Sequence, residues 1–168
     1  TPVGKNRDEC WRSLTNGRSG VTTYETTANL GYAAPVAGQV GDITIDESFL
    51  TRAEQRKTSR FIKLALLSAR EAMADEGHDK QAPANRDRFG VYVGVGIGVL
   101  EGICSAALGF EEKGYRAISP FLLPRVISNQ APGWMSIKFD LQGPTMAVVN
   151  ACSSGNDAIG QAFRAIQD

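Results

Sequence analysis

The chain has 168 residues, with 18 Lys and Arg balanced by 18 Asp and Glu and a single histidine, His78. A hydrophobic share of 42% and a charged share of 21% describe an ordinary globular chain, long enough to bury a core. Without a basic excess there is no reason to expect a nucleic-acid partner. No apolar run approaches the ~18 residues of a bilayer-spanning helix, so no membrane partner is expected either.

The opening residues, TPVGKNRDECWRSL, hold no apolar stretch of the signal-peptide kind, and a cytoplasmic location is the expectation. Residues 8–16 read as a short helix, with Trp11 and Leu14 on one face and Gly17 as its stop. Residues 20–45 are rich in Thr, Gly and Val and read as loops and short extended pieces. Thr51 and Glu54 have the spacing of a capping box. Ser59 stands where it would cap a longer helix ending near Gly77, with Phe61, Leu64, Ala65, Leu67, Ala69 and Ala72 at helical spacing. Residues 83–87 form a polar connector.

Residues 88–98, RFGVYVGVGIG, read as a buried strand breaking into a glycine-rich loop, and residues 99–112 as a helix. A further helical stretch starts at Ile118-Ser-Pro, is broken around Pro124 and Pro132, and continues through Trp134, Ile137 and Phe139. Gly143-Pro144 marks a turn. Residues 145–150, TMAVVN, form a short apolar strand, and from Ser153 a helix follows with Ala158, Ile159, Ala162, Phe163 and Ile166 inward. Alternating strands and helices predict an α/β domain. The chain opens in a loop-like Thr1-Pro-Val-Gly4 and stops at Asp168 where a helix would lead into a strand, so a piece truncated at both ends is expected.

The most informative stretch is TMAVVNACSSG, residues 145–155. A buried strand runs into a tight turn of small residues, and a helix begins at once, the arrangement of a nucleophile elbow. A helix N-terminus presents unpaired N–H groups and partial positive charge, which favour a thiolate and can stabilise a developing oxyanion. The other reading makes Cys152 a small packed residue in a strand–helix turn. On the pattern alone both readings stand. Cys10, beside Trp11, and Cys104, in an apolar helix, read as packing residues. The three cysteines have neither metal-ligand spacing nor a disulfide framework, so no metal is expected. The glycines at 90, 94, 96 and 98 lack the order of a dinucleotide fingerprint and its acidic partner. His78 reads as a solvated turn residue.

The stretch AVVNACSSGNDAIGQAFRAI resembles the active-site segment of the β-ketoacyl synthases, the thiolase-fold condensing enzymes. The likeness also includes Thr1-Pro-Val-Gly4, Trp11-Arg-Ser-Leu14 with Gly17-Arg-Ser-Gly20, Glu54-Gln-Arg-Lys57, Phe61 and Gly96-Ile-Gly98. Ile118-Ser-Pro-Phe121, Pro124 and Gly143-Pro144 follow in order, so the resemblance covers essentially the whole chain, as an N-terminal half spanning residues 1–168. It is similar to the elongating, carrier-protein-dependent type of fatty-acid synthesis or its polyketide relatives. Thiolases share the fold and a similar motif but lack the Ile118-to-Pro144 segment.

This resemblance implies a layered αβαβα fold, of which the N-terminal half is present, in a homodimer or, in a polyketide system, a heterodimer. The strand at 145–150 is then expected near its two-fold axis. It implies that Cys152 takes an acyl group from acyl carrier protein and that the thioester condenses with malonyl carrier protein after decarboxylation. The two histidines and lysine of that second step lie outside this chain, and His78 matches neither, so these residues alone are expected to be inactive. No cofactor is implied beyond the phosphopantetheine carried by the partner. Ile97 falls at the gate to an acyl pocket with Leu100 deeper along the same wall; Leu122 and Leu123 fall where relatives line the neighbouring subunit's pocket. Arg56, Lys57 and Arg116 fall where the acidic carrier protein docks, although charged clusters of this kind are otherwise solvated faces. Asn150 departs from the threonine usual in relatives. A non-catalytic chain-length-factor-like partner and a thiolase-type acyltransferase are the alternatives.

Overall fold

Local capping signals place several helix starts, and packing then selects which face each helix buries. A computed structural model describes residues 1–77 and 84–168; His78 lies outside the described residues. The chain forms two compact units, Thr1–Thr44 and Ile45–Asp168.

In the first unit, helix α1 (Arg7–Thr15) is set by Asn6, whose side chain accepts from the Glu9 N–H at 2.9 Å. Glu9 in turn accepts from the Lys5 N–H at 2.9 Å. The two satisfy N–H groups that a helix start leaves unpaired. The chain leaves α1 through Gly17 at φ +64°, a conformation that suits glycine. Strands β1 (Val21–Thr23) and β2 (Val36–Gly38) pair antiparallel with Val21 opposite Gly38, and helix α2 (Glu25–Asn29) lies between them in sequence. The extended pieces expected there are thus an ordered ladder. Trp11 and Leu14 are exposed, and no described residue of this unit is buried.

The second unit holds the core. Helix α3 (Arg52–Lys57) carries the expected capping box: Thr51 Oγ1 accepts from the Glu54 N–H, and Glu54 accepts from the Thr51 N–H at 2.9 Å. Glu54 also takes a hydrogen bond from Lys138, 2.8 Å away, which with the Thr51 bonds holds its carboxyl below the usual carboxylate range. Ser59 stands at the N-cap of helix α4 (Arg60–Asp75), yet its buried hydroxyl has no hydrogen-bond partner among the described residues. Asp46 is drawn down to about 2 by hydrogen bonds from Ser48 and from Arg70, the latter at 2.8 Å. Arg70 lies over the Phe49 ring, which meets Phe139 at 5.7 Å, so the turn before α3 is tied to α4 and to the segment that ends at Phe139.

Strand β3 (Val91–Gly94) leads through helices α5 (Leu100–Lys113), α6 (Leu122–Val126) and α7 (Gln130–Phe139) to strand β4 (Thr145–Val148). The strands are parallel, with Val91 beside Thr145 and Gly94 beside Val148. Ser136 of α7 and Thr145 share a hydrogen bond of 2.8 Å, so α7 covers the face bearing Thr145 and Val91. Gly94, three residues on, faces the other way and meets the start of helix α8 (Ser154–Gln167). The order is therefore α4, α7, the β3–β4 pair, then α8. Leu50, Ile62, Leu66 and Pro132 are fully buried, with Val91, Val95, Met135, Val148 and Ala158 around them.

Several expectations change. In α4 the buried stripe is Ile62, Leu66 and Met73, packed toward α7, rather than the stripe through Phe61, Leu64 and Ala72. In α8 only Ser154 and Ala158 are buried; Ile159, Phe163 and Ile166 are 71%, 60% and 84% exposed, because the sheet meets the helix through its first turns. Pro124 and Pro132 are the third residues of α6 and α7, where no intrahelical N–H bond is lost, so they begin helices rather than break them. The strand at 145–150 ends at Val148, since Asn150 turns away to meet the helix that follows. Cys104 is exposed on α5 rather than packed, and Cys10 is half-buried.

Candidate active site

Cys152 lies in one turn of 3-10 helix, Ala151–Ser153, between the end of β4 and the start of α8. It is exposed, and neither its thiol nor its backbone N–H bonds to another described residue. The residue before it, Ala151, has φ +45°, a left-handed conformation that costs a residue with a Cβ about 1–2 kcal/mol. That sharp reversal pushes position 152 out of the strand–helix junction, as an elbow requires.

Ser154 fixes the turn from inside. It is 3% exposed, and its Oγ accepts from the Asn150 N–H at 2.8 Å. The same oxygen lies 2.7 Å from the Ala151 carbonyl and 3.3 Å from the Val95 carbonyl, which share its single proton. Val95 is tied to β4 by its own N–H, which donates to the Val148 carbonyl at 2.9 Å. Asn150 completes the set, its amide donating to Asp157 at 2.6 Å. One small buried hydroxyl thus joins the exits of both strands to the first residue of α8. In the sequence Ser154 counts only among the small residues of the turn; its burial and its bonds arise from the fold and carry no local signal.

The glycine-rich loop is built around this turn. A Cβ on Gly94 would lie 2.5 Å from the Gly155 nitrogen and the Ser154 carbonyl, so only glycine lets α8 start this close to β3. Gly96 lies beside the Ala151 carbonyl, 3.7 Å from where its Cβ would be. Gly98 has φ +82° and its Cβ would come within 3.0 Å of the Val126 carbonyl. The loop is therefore wedged between the Cys152 turn and the end of α6. Ile97, at its crest, is 74% exposed, and Leu100 opens α5 with its side chain also exposed. Leu122 and Leu123 form the first turn of α6, against which α5 packs; Leu122 is half-buried and Leu123 exposed. Leu100, Leu122 and Leu123 thus sit on two helices that pack together, and Ile97 on the loop whose Gly96 lies beside the Ala151 carbonyl.

All of residues 1–168 match the model of the family described as β-ketoacyl synthase, N-terminal domain. The chain belongs to that family. It is 33% identical over 167 residues to 3-oxoacyl-(acyl-carrier-protein) synthase 2 of Staphylococcus aureus, covering 99% of this chain and 41% of the relative. A 3-oxoacyl-(acyl-carrier-protein) synthase homolog of Saccharomyces cerevisiae is also 33% identical, with 43% of its length covered. The crystal structure of a β-ketoacyl synthase from Burkholderia phymatum STM815 superposes with a TM-score of 0.85 at 23% identity, over 99% of this chain and 41% of that one. The fold is thus the N-terminal part of the thiolase-like α/β architecture of ketosynthases, as expected. The chain spans about two-fifths of the length of these relatives.

Within this domain the basic residues are carried by elements other than the Cys152 turn. Arg56 and Lys57 end α3 and are exposed; Lys57 Nζ lies 5.7 Å from the centre of the Phe121 ring, just ahead of α6. Arg116, exposed in the turn after α5, lies over Tyr115. Lys57 therefore touches the segment that bears Leu122 and Leu123, while Arg116 follows the helix that bears Leu100. No group of three or more His, Cys, Asp or Glu with metal-binding geometry occurs among the described residues. Among the described residues no helix is long and apolar enough to cross a membrane.

Proposed function

We propose that this domain supplies the acyl-accepting half of a condensing enzyme, with Cys152 as nucleophile. The observation that carries this is the exposed cysteine following a left-handed alanine at a strand–helix junction, in a chain of the β-ketoacyl synthase family. The Cys152 sulfur attacks the carbonyl of an acyl group carried as a thioester on acyl carrier protein. A tetrahedral oxyanion forms and takes a hydrogen bond from the Cys152 N–H; that this N–H bonds to no other described residue supports the role. Collapse expels the phosphopantetheine thiolate of the carrier and leaves the acyl group on Cys152, with no resident cofactor consumed. Decarboxylation of malonyl carrier protein then yields a carbanion that attacks this acyl thioester, releases Cys152 and forms the β-ketoacyl product.

This second step rests on two histidines and a lysine supplied from outside these residues, because the chain holds one histidine in all. Ile97 and Leu100 form one wall of the acyl site, and Leu122 and Leu123 line the pocket of a second subunit in a dimer. Arg56, Lys57 and Arg116 meet the acidic carrier protein, whose approach their charge steers. A soluble cytoplasmic enzyme of fatty-acid or polyketide elongation fits this set. A chain-length-factor-like role is not favoured, since such a partner needs no exposed cysteine at the elbow.

The test is condensation by the full-length protein from acyl and malonyl carrier proteins. Cys152→Ala is expected to remove product by about 1,000-fold or more while leaving the fold intact. Product formed at an undiminished rate overturns the reading.

A further inference from the structure

We infer that Asn150 and Asp157 form a brace across the turn bearing Cys152, acting as positioning residues for it. The inference rests on the nucleophile reading of Cys152 and extends it to two residues that reading leaves unused. Ala151 is held at φ +45°, a conformation its Cβ opposes, so neighbouring contacts must over-determine it. Two of those contacts run through the buried Ser154 hydroxyl, to the Asn150 N–H and the Ala151 carbonyl. They fix the inner side of the turn.

The outer side is closed by one bond between side chains, from Asn150 Nδ2 to Asp157 Oδ2 at 2.6 Å. It spans seven residues, joining the exit of β4 to the first turn of α8 with Cys152 between its ends. A carboxylate in the first turn of a helix is also held by the partial positive charge there, so Asp157 is the fixed end and Asn150 the end it restrains. The bond is charge-assisted and short, which makes it directional. Neither residue is buried, so neither is needed to fill the core, and restraint of the turn is the role left to the pair.

The experiment measures alkylation of the full-length protein by iodoacetamide, read by peptide mass spectrometry. The Cys152 rate is expressed relative to Cys104, an exposed cysteine on a different helix. Asn150→Ala and Asp157→Ala are each expected to lower that ratio about fivefold, and the double variant no further than the larger single effect. Asp157→Asn keeps an acceptor oxygen and is expected to stay within about twofold of the parent. An unchanged ratio in the single variants, multiplying effects in the double variant, or a parallel change at Cys104 overturns the brace. Acyl transfer to Cys152 is scored separately in the unsubstituted protein. If transfer is absent while the ratio still responds, the nucleophile reading fails and the brace stands; transfer with an unresponsive ratio fails the brace alone.

Discussion

The shape of the turn bearing Cys152 depends on how close α8 is allowed to come to β3, and a single missing Cβ decides that. Gly94→Ala would put a methyl 2.5 Å from backbone atoms of Ser154 and Gly155, which have no flexible end to yield. Overpacking of this kind costs about 1–3 kcal/mol, so the variant is expected to unfold at a lower urea concentration. It should also lose Cys152 reactivity out of proportion, because the displaced atoms belong to the turn that carries Cys152. Urea midpoint and thiol alkylation together check this. At this scale the sequence announced Cys152 through the small residues around it and the apolar strand before it. It did not announce Ala151, because alanine carries no preference for a left-handed backbone. Nor did it announce the Asn150–Asp157 bond, since residues seven apart meet only once the turn has formed.

Among the elements, starts were legible and faces were not. The Thr51–Glu54 box and the run into Gly17 are local signals that need only neighbouring residues. Which side of α4 or α8 is buried depends on where α7 and the strands lie, and both helices carry apolar residues on more than one side. In α8 the consequence is a stripe of Ile159, Phe163 and Ile166, exposed in this chain and four and three residues apart. Contiguous exposed apolar side chains promote association. The 168-residue chain expressed by itself is expected to self-associate, and replacing Ile159, Phe163 and Ile166 together by Lys to return it toward a monomer in light scattering. A chain that is monomeric before the change contradicts the account.

For the whole molecule, the alternation of strands and helices and the order of the family segments were enough to place the fold. The division into Thr1–Thr44 and Ile45–Asp168 was not: the run rich in Thr, Gly and Val ends at this join, but it reads as loops and short extended pieces and carries no local sign of a separate unit. Acid stability belongs to the second unit. Asp46, held at about 2 by Ser48 and Arg70 against an ordinary 3.8, stabilises the folded state fully above pH 3.8. That contribution is lost as pH falls from 3.8 through 2, where the folded carboxylate takes up its proton. Asp46→Asn is expected to lower the urea midpoint at pH 7 and to flatten its decline over that acid range. An Asn variant that declines as steeply as the parent would separate Asp46 from acid unfolding.

The proposed function passes through one sulfur. The most direct measurement is peptide mapping of the full-length protein after incubation with acyl carrier protein bearing a saturated acyl chain. The added acyl mass is expected on the peptide holding Cys152, and on neither Cys10 nor Cys104. An unmodified Cys152, or acyl mass retained elsewhere after Cys152→Ala, would contradict the account.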